Sequence, residues 1–127
     1  MSWQEYIDGN LIPSGSVMRA AIIGIQGGVW ANSPDYTISS VDQNTIVRAF
    51  ERPGTIPAMS FGGNKYRLIV QDATEMIGRR ETDPTSGCFM YRTKQTVLVT
   101  EYDSPVMIHD TQKVVTRLGE YLVSAGY

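Results

Sequence analysis

The stretch Asp110-Thr-Gln-Lys-Val-Val-Thr-Arg-Leu-Gly-Glu-Tyr-Leu-Val-Ser-Ala-Gly-Tyr127 decides how the rest of the chain is read. Val114, Val115, Leu118, Tyr121, Leu122 and Ala125 recur at steps of three and four, so they share one side of a helix, with Lys113, Thr116, Arg117, Glu120 and Ser124 mostly on the other. Such a helix has two working faces. Asp110 is placed to cap its start and Gly126 to stop it. Terminal residues fray unless something holds them, so an aromatic residue at position 127 implies either docking or a task at the surface. The other end of the chain raises the same question, because Trp3 and Tyr6 fall within two turns of each other on a helix of their own.

Working outward, Ser2 and Glu5 have capping-box spacing and predict a helix from Trp3 to about Ile7 or beyond, limited by Gly9-Asn10 and Pro13. Val17 to Ile25 is an apolar run rich in β-branched residues, and Gln26-Gly27-Gly28 supplies a tight turn before Val29-Trp30-Ala31, which reads as a hairpin. Ser39-Ser40 can cap a second short helix that buries Val41, Ile46, Ala49 and Phe50, ended by Pro53-Gly54. Lys65–Gln71, Glu75–Arg80, Cys88–Thr93 and Thr96–Tyr102 read as strands separated by turns at Asp72-Ala73, Asp83 to Gly87 and Lys94-Gln95. Adjacent strands joined by short turns form an antiparallel sheet, and the helical segments make the whole an α+β fold with the first and last helices side by side on one sheet face. Ile22, Ile23, Ile69, Val97 and Val99 are the expected core of the sheet.

A length of 127 residues fits a single domain, 1–127, able to bury roughly two thirds of its unfolded surface. A net charge of −2 excludes a general nucleic-acid binder, which needs a basic excess. The one cysteine, Cys88, excludes an internal disulfide framework and suits a reducing compartment. No apolar run approaches the roughly 18 residues of a membrane span, and no leader segment is seen, so the expectation is a soluble, cytoplasmic protein. Catalysis finds no footing. His109 is the only histidine and has no cysteine or second histidine to build a metal site or nucleophile pair. There is no Gly-x-Ser-x-Gly elbow, and the thirteen carboxylates are scattered through turns and caps. Gly27-Gly28 and Gly62-Gly63 lack the longer pattern and lysine of a phosphate-binding loop and read as hairpin turns. No enzyme, metal or cofactor is expected.

What remains is aromatic placement. Trp3, Tyr6, Trp30, Tyr121 and Tyr127 come from the first helix, the first hairpin and the last helix, and neighbouring terminal helices would bring their rings onto one surface. Taken individually, each would more often fill core, the usual use of Trp and Tyr. An exposed cluster has a chemical meaning: polyproline II helices are stiff and present backbone carbonyls, so they suit shallow aromatic grooves whose indole N–H and phenol O–H groups donate hydrogen bonds.

Ser2-Trp-Gln-Glu-Tyr6, the Ala20-Ala-Ile-Ile-Gly-Ile-Gln-Gly-Gly-Val-Trp-Ala31 hairpin, Gly62-Gly-Asn-Lys-Tyr66, Arg92-Thr-Lys-Gln-Thr96 and Leu118-Gly-Glu-Tyr-Leu122 with its final Gly-Tyr together resemble the profilins, most of all the short forms of plants, fungi and amoeboid protists. The resemblance spans essentially the whole chain. It implies a central antiparallel sheet of six to seven strands, with the N- and C-terminal helices on one face and short helices on the other. It further implies a monomeric cytoplasmic protein of the cytoskeleton that binds monomeric actin, proline-rich proteins such as formins, and phosphoinositide lipids, controlling actin polymerisation and promoting nucleotide exchange on actin. Trp3, Tyr6, Trp30, Tyr121 and Tyr127 stand where that family has its poly-proline groove. The resemblance puts the family's actin surface on the other side from the groove, on the later strands and the start of the last helix, at Lys65, Arg67, Ile69, Arg79, Arg92, Lys94, Val106, Gln112, Lys113 and Arg117, and phosphoinositide contacts at Arg79, Arg80, Arg92, Lys94 and Lys113. Val70 and Thr74 stand where related profilins often carry arginine. Rim charges mainly tune association rate, so their absence implies weaker or slower actin binding. The competing reading is a small α+β sensory or scaffold domain with a ligand cavity between sheet and helix and no actin binding.

Overall fold

The computed structural model describes residues 2–127. Its frame is one seven-stranded antiparallel sheet in the order β2-β1-β7-β6-β5-β4-β3. The strands are β1 (Arg19–Gly24), β2 (Val29–Asn32), β3 (Ala58–Phe61), β4 (Asn64–Gln71), β5 (Glu75–Arg80), β6 (Asp83–Arg92) and β7 (Thr96–Tyr102). Helix α1 (Trp3–Tyr6) runs on as a π-helical turn through Ile7–Leu11 and a 3-10 turn at Ile12–Ser14, while α2 is Ser40–Glu51 and α3 is Ile108–Ser124. Each sheet face has its own core. On one side Ile23, Val97, Val99, Cys88 and Met90 pack with Ile46, Ala49 and Phe50 of α2. On the other Ile22, Leu98 and Phe89 pack with Ile7 and Leu11 and with Val115, Leu118 and Leu122 of α3. Successive strand residues point to opposite faces, so Ile22 and Ile23 serve different cores. The terminal helices therefore share one face, as their apolar stripes predict. Ile22, Ile23, Val97 and Val99 are fully buried, and β7 is buried along its whole length between β1 and β6.

Several boundaries differ from the sequence reading. Gly9-Asn10 does not end the first helix, because the wider π turn absorbs it and the helical path continues to Ser14, closing at Gly15 with φ +77°. The N-cap position of α3 is Met107 rather than Asp110, which sits in the first turn, where its charge still complements the helix dipole. Strand β3 was not expected, since Ala-Met-Ser-Phe has no β-branched residue and owes its place at the sheet edge to pairing with β4. Strand β6 begins at Asp83 rather than Cys88.

Two residues expected in the core are exposed. Val41 is 72% exposed. It precedes Ile46 by five positions, about 140° round a helix of 100° per residue, so it faces away from the buried side of α2. Ile69 is 46% exposed. Leu68 pairs with Gly78 and Val70 with Ile77, which makes Ile69 the extra residue of a β-bulge. Helix α3 covers β6 and β7, leaving β4 uncovered on that side.

Candidate functional site

Two of the five aromatic residues come from α1, whose position is set by a side chain acting as backbone. The Gln4 amide donates to the Asn32 carbonyl at 2.8 Å, and the Asn32 N–H returns a bond to Gln4 Oε1 at 3.4 Å. This stitches α1 to the end of β2. The start of the helix is capped as predicted, with Ser2 Oγ accepting from the Glu5 N–H at 3.3 Å. Trp3 is thereby laid against Trp30, with ring centroids 4.8 Å apart and planes at 68°. The Trp30 indole lies close over Gly24, where any Cβ would come within 2.6 Å of its Nε1.

Tyr127 arrives from the far end of the chain through backbone geometry. Gly126 adopts φ +97°, the Gly126 N–H donates to the Val123 carbonyl at 3.1 Å, and the Tyr127 N–H donates to the Leu122 carbonyl at 2.8 Å. This is a Schellman motif, which turns the chain back on the helix and needs glycine at its left-handed position. The β6–β7 turn then holds the end in place, as the Tyr127 carbonyl accepts from the Gln95 N–H at 2.6 Å and from Thr93 Oγ1 at 2.9 Å. The Tyr127 ring meets Trp3 edge-on at 5.1 Å. Tyr6 extends the series, 5.6 Å from Trp3 and 6.3 Å from Tyr121. Burial, together with the nearby Tyr121 hydroxyl, raises the pKa of the Tyr6 phenol.

The five rings thus form one row, Trp30, Trp3, Tyr6 and Tyr121, with Tyr127 beside Trp3. Three are clearly open to solvent, at 37% for Trp30, 54% for Tyr121 and 42% for Tyr127, while Trp3 and Tyr6 are half-buried. The structure brings together the five rings that the sequence grouped. The sequence did not reveal Gln4, Thr93 and Gln95, which bond main-chain atoms of elements remote in sequence, nor Gly24, which leaves room for the Trp30 indole.

The charged and polar residues assigned to a second surface divide into groups. Lys65 and Arg67 alternate outward along β4, and Arg79 of β5 is the cross-strand partner of Arg67. Ile77, next but one to Arg79, packs on the α3-side core, so this patch lies on the sheet face that carries α3. Exposed Lys113 and half-buried Gln112 face it from α3, with the Gln112 amide donating to Glu75 of β5 at 3.2 Å. Val106 is half-buried in the segment leading into α3. Arg117 stands between the two surfaces, lining a depression of about 270 Å³ with Tyr6, Asn10 and Tyr121.

The remaining basic residues are elsewhere. Arg92 pairs with Val97 and so leaves the sheet on the α2 side. Lys94 lies in the β6–β7 turn, beside Trp30. Arg80 is turned inward, its side chain only 12% exposed and hydrogen-bonded to Asp103 at 2.8 Å and to the Tyr66 hydroxyl at 3.1 Å. It belongs to a network in which buried Glu101 accepts from the Tyr36 and Tyr66 hydroxyls and, at 3.0 Å, from Asn64. Arg19 completes it with a two-pronged bond to Asp103 at 2.9 and 3.0 Å. These hydroxyls are held protonated, since burial and then the Glu101 carboxylate push both tyrosines far up. The five residues grouped for lipid binding therefore form no single patch.

A family model described as Profilin matches residues 1–127. The Profilin of Bombyx mori is 35% identical over 129 residues, covering all of both chains. The solved structure of Acanthamoeba castellanii profilin IB has a TM-score of 0.93 at 29% identity, covering 99% of this chain and 100% of that one. LokiProfilin2, from a structure of its complex with rabbit actin, shares the fold with a TM-score of 0.81 at 19% identity, over 98% of each chain. With its sequence matched from end to end and its sheet, helices and aromatic row arranged as described, the chain belongs to the profilin family.

Proposed function

We propose that this chain regulates actin polymerisation as an adaptor, holding monomeric actin on one surface and a proline-rich segment on another. The observation that carries the reading is the exposed row of Trp30, Trp3, Tyr6 and Tyr121 with Tyr127 alongside, assembled from both ends of the chain. Its ring centroids step by 4.8, 5.6 and 6.3 Å, and a polyproline II helix rises about 3.1 Å per residue, so each step spans about two residues of ligand. The row would seat at most about six. Indole and phenol groups supply the donors that proline carbonyls require.

Family membership supports actin as the other partner, bound through Lys65, Arg67, Ile69, Arg79, Val106, Gln112, Lys113 and the near side of Arg117. Both surfaces sit on the same sheet face, on the two flanks of α3, so neither ligand would cover the other's residues. A bound proline-rich arm, such as that of a formin, would then raise the local concentration of actin at a growing filament end. Faster nucleotide exchange on actin would follow if actin is held in a conformation that releases nucleotide more readily. Phosphoinositide headgroups would meet Arg79 and Lys113, both exposed. Each such contact contributes only about 1 kcal/mol, so lipid would compete with actin for these residues and bind weakly.

The sensory or scaffold reading needs a cavity between sheet and helix, whereas buried side chains pack both sheet faces, and the depression of about 450 Å³ beside α2 is lined by the β1–β2 turn rather than by the sheet face. The deciding experiment is pyrene-actin polymerisation with the wild type and Trp3→Ala, each with and without a deca-proline peptide. Trp3→Ala should still sequester actin monomers but no longer bind the peptide. Retention of peptide binding at unchanged affinity would remove the groove from the proposal, and failure of both proteins to alter polymerisation would remove actin.

A further inference from the structure

Resting on the reading of the aromatic row as a proline groove, we infer that the row continues past Trp30 into a cationic end-site built on Lys94, which selects proline-rich segments flanked by an acidic residue. A cavity of about 320 Å³ adjoins Trp30 there, lined by Gly24, Ile25, Gln26, Gly27, Lys94 and Gln95. Lys94 is the one charged group in that lining, and its side chain is exposed. Among the described residues its amine forms no ion pair, unlike Arg19, Lys65 and Arg80.

The turn that carries Lys94 is fixed rather than loose. Gln95 is bonded through its N–H to the Tyr127 carbonyl at 2.6 Å and through its carbonyl to the Ile25 N–H at 2.9 Å. A ligand leaving the row over Trp30 thus meets, in the lining of that cavity, uncharged main chain from the β1–β2 turn and one positive charge on a flexible stem, while the Tyr127 main-chain oxygen is engaged by Gln95 and Thr93. Proline supplies no charge to meet it, so the complementary group must come from a flanking residue, and the chemistry that fits is a carboxylate. The other end of the row differs. Arg117 near Tyr121 is followed one turn later by Glu120, and Glu5 lies close enough to Tyr6 to act on its phenol. That end is electrostatically mixed and offers no comparable preference.

Exposed ion pairs are weak, so the expected selectivity is about two- to fivefold in affinity at low salt. The charge is screened over about 10 Å at 0.1 M salt, so the selectivity should shrink as salt is raised. The test is calorimetric titration with three peptides: deca-proline, deca-proline preceded by two glutamates, and deca-proline followed by two glutamates. One of the acidic peptides should bind the wild type more tightly than plain deca-proline. That ratio should fall to near one in Lys94→Gln and in 0.5 M sodium chloride, and persist in Arg52→Gln, which removes an equal charge from the far side of the sheet. Equal affinity for all three peptides, or a ratio unchanged in Lys94→Gln, overturns the end-site while leaving the groove intact. No binding of any peptide overturns the groove and the end-site with it.

Discussion

Gly126 does at the level of one residue what no side chain could do. At φ +97° it occupies backbone space that costs an ordinary L-residue about 1–2 kcal/mol, and the two bonds it allows aim Tyr127 at Trp3. Gly126→Ala leaves the row chemically complete but misdirects its last ring. The expected result is a loss of about tenfold in deca-proline affinity, if most of that cost is met by unwinding the final turn, with little change in resistance to urea. Intact affinity in a calorimetric titration would mean that Tyr127 is held by Thr93 and Gln95 alone. Gly24 works by absence of bulk. Gly24→Ala places a methyl within 2.6 Å of the Trp30 Nε1 and 2.9 Å of the Gly27 carbonyl, and since the main chain cannot yield, the indole must. Its displacement should appear as red-shifted tryptophan emission and weaker peptide binding; unshifted emission would show that the ring has room to slide.

Helix α3 shows which element-scale features a sequence carries. Its apolar period gave its existence and its stop at Gly126, because both are local properties of a helix. The buried set is Thr111, Val115, Leu118, Gly119 and Leu122, a stripe rotated from the one its hydrophobic residues mark, with Tyr121 left outside. Leu122 continues the line of Val115 and Leu118 into the core while Tyr121, one residue earlier, lies outside it, and Tyr91 of β6 packs against Gly119. The sheet's seven strands were legible except at the edge, where β3 depends on its partner. The bulge at Ile69 was invisible because it is a property of two strands in register. Gly119 gives the element a test in which two effects oppose. Alanine in a helix interior is favoured over glycine by about 1 kcal/mol, but its Cβ would overlap carbons of the Tyr91 ring, and overpacking costs about 1–3 kcal/mol. Overlap should win, so Gly119→Ala should unfold at lower urea, by about 1 kcal/mol. A more stable variant would mean Tyr91 turns aside at no cost.

Across the whole molecule the sheet is fastened differently at its two ends. Near the start of β7 lie the β6–β7 turn and the aromatic row; beyond its other end Asp103 bridges Arg19 of β1 and Arg80 of β5, strands that are not neighbours. Hydrogen bonds first from Arg19 and then from Arg80 hold the Asp103 carboxyl at about 2, well below the usual carboxylate range near 3.9. Because that pKa is lower folded than unfolded, the unfolded chain takes up the proton first as acid is added. The stabilisation is therefore complete above about pH 4 and disappears as pH falls through about 2. Asp103 is 39% exposed in its side chain, and solvent screening trims its worth to about 1 kcal/mol. Asp103→Asn should accordingly be less stable than the wild type by about that amount at pH 7, with the two urea midpoints converging on acidification. Deca-proline affinity should be the same in both proteins, since the clasp and the row occupy opposite ends of β7. Parallel stability curves down to pH 2 would show that Arg19 and Arg80 hold the aspartate without gaining from its charge, and a linked loss of peptide binding would show that the two ends of the sheet are coupled.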